Sequence, residues 1–117
     1  MVAIVEDDES YRLAVQRLLK SAGFLVQSFA CAEDFLSSGQ QQETGCIIAD
    51  IRMPGMSGLD LQAQLIADHY PIPTIFMTAH GDEKMRLQAM RAGAVKFLTK
   101  PFDGDDLIQA VRVAVES

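Results

Sequence analysis

Five short apolar runs alternate with five helical patterns along this chain, and few folds accommodate that alternation. The runs are residues 2–5 (Val-Ala-Ile-Val), 24–29, 46–49 (Cys-Ile-Ile-Ala), 74–77 and 95–98. Short runs apolar throughout read as strands buried on both faces, because a half-exposed strand alternates apolar and polar residues. Helices are predicted at 10–22, 32–38, 59–68 and 82–92, with a last one following Asp103. In the first, Tyr11, Ala14, Val15, Leu18, Leu19 and Ala22 share one stripe; in the last, Leu107, Ile108, Val111, Ala114 and Val115 do so. Ser10 is the expected N-cap of the first helix, Gly23 its stop, and Asp103 the cap of the last. Strands separated by helices require right-handed crossovers and a parallel sheet covered on both faces.

The expectation is therefore an α/β, doubly wound, five-stranded parallel sheet with helices on both faces. A flavodoxin-like strand order, 2-1-3-4-5, makes strands 1 and 3 neighbours at the switch point, where such sheets bind ligands. Glu6 and Asp7 end the first apolar run and Asp50 ends the third, so this order brings three carboxylates into one crevice. Such a cluster repels itself unless it holds a cation or is partly protonated. Thr78 and Lys100 end the fourth and fifth runs on the same rim. Carboxylates, a hydroxyl and an ammonium together suit phosphoryl transfer to a carboxylate. A hard divalent cation would neutralise phosphoryl oxygens, the hydroxyl and ammonium would hold others, and the carboxylate would be the nucleophile. Each residue has a plainer reading alone: Glu6 to Glu9 as a helix start, Thr78 as a cap, Lys100 as a surface lysine, Phe97 as a core aromatic.

Composition narrows the rest. At 117 residues, 49% hydrophobic and 22% charged, the chain reads as one globular domain. A net charge of −6 argues against direct nucleic-acid binding. Cys31 and Cys46 form no CxxC, Cys46 falls within a strand, and a reduced, cytoplasmic setting is expected. No apolar stretch approaches the roughly 20 residues that span a bilayer, so no membrane contact is expected.

At these residues the sequence closely resembles the receiver domains of two-component response regulators. The resemblance runs through Val5 to Asp8, Asp50 with Met53 to Gly58, Thr78 to Asp82, Ala92 to Ala94, and Lys100 to Phe102. The stretches 52–58, 78–82 and 91–102 are most similar to FixJ-type regulators, whose receiver precedes a LuxR-type DNA-binding output domain. The resemblance implies that residues 1–117 are a single receiver domain, any output domain being absent from this chain. It implies Asp50 as phosphoacceptor, Mg²⁺ held by Glu6, Asp7, Asp50 and the Arg52 backbone carbonyl, and phosphoryl contacts from Thr78 and Lys100. Thr78 and Phe97 would form the switch, and Pro101 would follow a cis peptide bond. The domain would catalyse only its own phosphorylation and dephosphorylation, with a sensor histidine kinase as donor. Where the family usually begins its acidic pair with Asp, this chain has Glu6, whose extra length favours reaching the metal through water. Asp8 is assigned to the turn and His80 to a loop near the site.

A haloacid-dehalogenase-type phosphatase is the alternative, since it uses an aspartyl nucleophile, a threonine and a lysine on a similar fold. It needs an acid two positions after the nucleophile, where this chain has Arg52. A dinucleotide fold would need GxGxxG, and a flavodoxin a hydroxyl-rich phosphate loop where this chain carries acids. Helix 4 has only a weak stripe (Met85, Ala89, Met90), which makes it the candidate moving element. A phosphorylation-dependent homodimer through helix 4, strand 5 and helix 5 is expected, with Val95, Phe97 and Leu98 as its apolar part. Lys96, Arg91 and Arg112 would pair with acids on the flanking helices.

Overall fold

Alternation of side chains along the buried strands sorts the core into two layers. The computed structural model describes residues 1–79 and 83–116. Its elements are β1 (Val2–Val5), α1 (Glu9–Ser21), β2 (Val26–Phe29), α2 (Ala32–Ser37), β3 (Cys46–Asp50), α3 (Gly58–Ala67), β4 (Thr74–Thr78), α4 (Glu83–Arg91), β5 (Lys96–Thr99) and α5 (Gly104–Glu116). All strand pairs are parallel and the order is β2-β1-β3-β4-β5, as expected. The central strands β1, β3 and β4 are buried along their whole length, whereas the edge strands β2 and β5 are not. That difference explains the unbroken apolar runs of the central three.

Ala3, Val5, Ile47, Ala49 and Phe76 pack with Phe35 of α2, Leu61 and Leu65 of α3, and Ala89 of α4. Val2, Ile4, Cys46, Ile48, Ile75, Met77 and Leu98 pack on the other face with Val15 and Leu19 of α1 and Leu107 and Val111 of α5. Alternate residues thus serve opposite layers, as the two-residue period of a strand demands. Anchoring differs between helices. Ala89 is the buried residue of α4, whereas α5 buries Leu107, Ala110, Val111 and Ala114. A buried Leu or Val is worth roughly 1.5–3 kcal/mol and a methyl(ene) about 0.8, so α4 is the more weakly held. Met90, part of its expected stripe, is exposed.

Boundaries moved for identifiable reasons. Asp8, not Ser10, caps α1: its side chain accepts from Tyr11 N at 3.0 Å, and Ser10 falls inside the first turn. The second strand starts at Val26 rather than residue 24, because Phe24 belongs to the helix stop. Gly23 sits at φ 94°, Gly23 N donates to Lys20 O at 3.0 Å and Phe24 N to Leu19 O at 3.1 Å. The third helix uses the same device with His69 at φ 61° in place of glycine. Asp103 does cap α5, accepting from Asp105 N at 2.8 Å. Ala14 and Val115, assigned to buried stripes, are exposed. The expected start of helix 4 at Asp82 and the loop position of His80 lie outside the described residues. Among those described, no helix is long and apolar enough to cross a membrane.

Both cysteines are free, Cys46 is fully buried and Cys31 half-buried. Burial pushes the Cys46 thiol up to about 12. Iodoacetamide at pH 8 should therefore label Cys31 in the native protein and Cys46 only after denaturant is added. Mass spectrometry of the two peptides reads this, and native labelling of Cys46 at the rate of Cys31 would contradict the packing.

Candidate functional site

Three strand ends meet through one ammonium group. Glu6 follows β1, Asp50 ends β3 and Lys100 follows β5. Lys100 Nζ donates to Glu6 Oε1 and, at 2.8 Å, to Asp50 Oδ2. Glu6 is fully buried, and the side chains of Asp50 and Lys100 are 11% and 14% exposed. Asp50 Oδ1 accepts from Arg52 N at 2.9 Å, so both of its oxygens are engaged. Burial pushes the Glu6 carboxyl up to about 7, against the pull of its hydrogen bond to Lys100 and with the push of the Asp50 charge. For Lys100, burial works against the charge, but its bonds to Asp50 and Glu6 prevail and hold it above its ordinary value.

The acids offer more oxygen than one lysine satisfies. Among the described residues, Glu6 Oε2 is buried without a hydrogen-bond partner. Oxygens of Glu6, Asp7 and Asp50 lie within 4.8 Å of one another, Asp7 being the exposed member. An all-oxygen donor set with an orphaned carboxylate oxygen fits a hard divalent cation such as Mg²⁺. Asp8 is occupied as the α1 cap, in keeping with its assignment to the turn.

Thr78 lies on the same edge and Phe97 one pleat inside it. Thr78 ends β4 and is buried, and its carbonyl accepts from Lys100 N at 2.7 Å. Phe97 on β5 is half-buried against the layer that contains Phe76 and Ala89, paired in register with Phe76. By alternation Thr78 falls on the side of Phe76, so Thr78 and Phe97 share the α4 side of the sheet. Asp50 and Lys100 follow Ile48 and Leu98 by two residues and belong to the α1/α5 side. The Lys100–Pro101 peptide bond is cis. Gly58 opens α3 against the end of β3, where a Cβ would stand 2.5 Å from the Asp50 carbonyl oxygen. No larger residue allows α3 to start so close to Asp50.

Two neighbours of the site were not singled out from the sequence. Arg12 Nη1 donates to the Glu6 carbonyl at 2.9 Å and braces the turn that carries the acids. Tyr11, read only as part of a packing stripe, has its ring centroid 4.1 Å from Lys100 Nζ. Neither carries a local signal, because each meets its partner through the turn of α1. Arg112 is not on the face expected of it: its guanidinium lies over the Phe24 ring at 5.7 Å, toward α1. Leu98 is likewise buried between the sheet and α5.

Known proteins share this fold along nearly the whole chain. The response regulator receiver domain profile matches residues 2–112, and the chain belongs to that family of phosphorylation-activated signalling domains. Nodulation protein W of Bradyrhizobium diazoefficiens is 44% identical over 116 residues, covering 99% of this chain and 51% of that protein. The transcriptional regulatory protein FixJ of Azorhizobium caulinodans is 41% identical over 114 residues, 97% of this chain and 54% of its own. The chain thus spans about half the length of these curated relatives. Among solved structures, the response regulator StyR matches with a TM-score of 0.92 at 47% identity, over 98% of this chain and 58% of that one. FixJ-N matches at 0.89 and 39%, over 98% and 92%. These likenesses give no support to the phosphatase alternative.

The buried glutamate generates a pH dependence in the metal-free protein. A carboxyl that titrates near 7 in the fold and at 4.5 ordinarily takes up a proton on folding. Its destabilising effect is absent below about 4.5, grows as pH rises, and is complete above about 7. With chelator present, Glu6→Gln should melt above wild type at pH 8, the gap closing toward pH 5. Thermal unfolding across that range is the measurement, and a gap widest at pH 5 would reverse the assignment.

Proposed function

We propose that this domain is the phosphoacceptor switch of a response regulator, with Asp50 as the residue phosphorylated and residues 1–117 as one receiver unit. The observation that carries the reading is the Lys100 ammonium bridging buried Glu6 and Asp50 while Glu6 Oε2 has no hydrogen-bond partner among the described residues. Glu6, Asp7, Asp50 and the Arg52 carbonyl would hold Mg²⁺, which when bound neutralises the oxygens of the incoming phosphoryl group. An Asp50 oxygen attacks phosphorus as the donor's bond to phosphorus breaks, the electron pair leaving with the donor. The donor in the cell is a phosphohistidine of a sensor kinase. Lys100 exchanges Asp50 Oδ2 for a phosphoryl oxygen, and the Thr78 hydroxyl contacts another. The domain catalyses its own phosphorylation and dephosphorylation and acts on no other substrate. It works in the cytoplasm and passes the signal to an output DNA-binding domain in the full-length protein, a reading that the name of one relative, a transcriptional regulatory protein, supports for the output's role.

Small acyl phosphates test the chemistry without the kinase. Incubation with acetyl phosphate and Mg²⁺ should add one phosphoryl group to wild type by intact mass and none to Asp50→Asn. Equal labelling of the two would remove Asp50 from its role.

The signal leaves through the α4 side. Thr78 moves toward the phosphoryl group and Phe97 turns into the space released, which reshapes the face of α4, β5 and α5. Phosphorylation shifts this equilibrium only by its differential interaction with the two states. Leu87, Met90 and Val113 are exposed there, and Val95, Lys96, Asp106, Gln109, Ala110 and Val113 line a groove of about 270 Å³. With Arg112 turned away, Lys96 and Arg91 are the cations left to pair with acids such as Asp106 across a two-fold homodimer. Sedimentation with beryllium fluoride and Mg²⁺ should show the dimer in wild type and a monomer in Asp50→Asn. A wild type that stays monomeric at high concentration with the mimic bound excludes this surface as a dimer switch.

A further inference from the structure

Lys100 has a third partner that the phosphoryl-transfer reading leaves unexplained. An ammonium carries three donor hydrogens. Two directions are taken by Glu6 Oε1 and Asp50 Oδ2, and the ring of Tyr11 lies 4.1 Å from the same nitrogen. The residue is held at its backbone and at its ring. Its backbone N–H is the one capped by Asp8, and Phe102 packs edge-on to it, the centroids 5.9 Å apart and the planes at 71°. Phe102 stands two residues beyond Lys100, so the loop that carries the lysine also carries the brace for the ring that faces it.

We infer that Tyr11 is a positioning residue for phosphorylation: its ring face holds the Lys100 ammonium at the crevice while the lysine passes from Asp50 to the phosphoryl group. The inference rests on Asp50 being the phosphoacceptor. A carboxylate partner binds the ammonium through particular hydrogens, whereas a ring face attracts the cation as a whole and tolerates its rotation. The two carboxylate bonds cannot both persist when the phosphoryl group arrives, because Lys100 must free at least one donor. Through that exchange the ring remains, excludes water from one side and limits the positions open to a flexible four-carbon side chain. An aliphatic residue at position 11 would fill the space between α1 and the loop after β5 but offer the cation no attraction. The plain packing role of Tyr11 predicts no such difference between aromatic and aliphatic replacements of similar bulk.

The experiment compares initial rates of labelling by acetyl phosphate at saturating Mg²⁺, well below the unfolding temperature of each protein. Tyr11→Leu should be slower by about 3- to 10-fold, the range a partly desolvated cation–π contact supports. Tyr11→Phe keeps the ring face and should recover most of the rate. Where Tyr11→Leu does not fold, Phe102→Leu releases the ring without removing it and should slow labelling in the same direction. A spectroscopic reading separates contact from general packing. The chain has two tyrosines and no tryptophan, so in Tyr70→Phe the emission is that of Tyr11 alone. Lys100→Met in that background should change the emission. Labelling of Tyr11→Leu at the wild-type rate, a Tyr11→Phe as slow as Tyr11→Leu, or a Tyr11 emission indifferent to Lys100→Met would each overturn the inference. Failure of the underlying reading looks different: wild type itself would take up no phosphoryl group.

Discussion

Everything at the functional edge depends on a positive charge held between two carboxylates that the fold has taken out of water. Glu6 and Lys100 are 94 residues apart in sequence, and their ion pair joins the end of β1 to the end of β5 across the sheet. An uncompensated buried carboxylate costs several kcal/mol, so without Lys100 the acids at this edge would be difficult to keep ionised. Even with it the charges do not balance: with all three ionised, Glu6, Asp7 and Asp50 together outweigh one lysine by two. A divalent cation would remove that imbalance, and on the proposed reading an incoming phosphoryl group would bring negative charge for which the cation and the lysine are both partners. The resting crevice is thus arranged for a ligand it does not itself supply.

The alternation of side chains that builds the core also divides labour at the edge. Asp50, Lys100 and Tyr11 belong to the α1/α5 side, where charge is collected, whereas Thr78 and Phe97 belong to the α4 side, where little holds the helix in place. The link between the sides is short, since Lys100 N donates to the Thr78 carbonyl at 2.7 Å. A further tie, from Gln62 Nε2 to the Ala89 carbonyl at 3.2 Å, connects α4 to α3. With Ala89 as its buried residue, α4 is an element that a modest change at Thr78 and Phe97 could displace. On the proposed reading, chemistry on one face and response on the other follow from one strand period.

Much of this was legible in the chain because the signals were local or periodic. The apolar runs at 2–5, 46–49 and 74–77 are buried on both faces, so no polar residue interrupts them, and their order along the chain is enough to infer a doubly wound sheet. Glu6, Asp7, Asp50, Thr78 and Lys100 stand at the ends of such runs, and a parallel sheet places all those ends on one edge. Boundaries were less legible. Asp8 and Ser10 are both good helix caps, and only the bond from Tyr11 N to Asp8 settles the choice. Phe24 looks like a strand residue, yet its N–H closes α1. Arg112 and Leu98 are expected on the face of α4, β5 and α5 as members of that strand and helix, but the rotation of α5 and the parity of β5 turn them toward α1 and the core.

By itself the sequence determined the layer pattern, the parallel sheet and the set of side chains brought to one edge, because these follow from hydrophobic period and from the handedness of crossovers. The order 2-1-3-4-5 came with the family resemblance. Only the tertiary structure decided which of those side chains touch. That Lys100 bridges Glu6 and Asp50, that one Glu6 oxygen is left without a partner among the described residues, and that Tyr11 closes over the ammonium depend on distances of a few ångströms between elements remote in sequence. A periodicity carries no information at that scale. The packing of α1 and α5 on the sheet does, since it fixes the approach of their side chains to the strand ends.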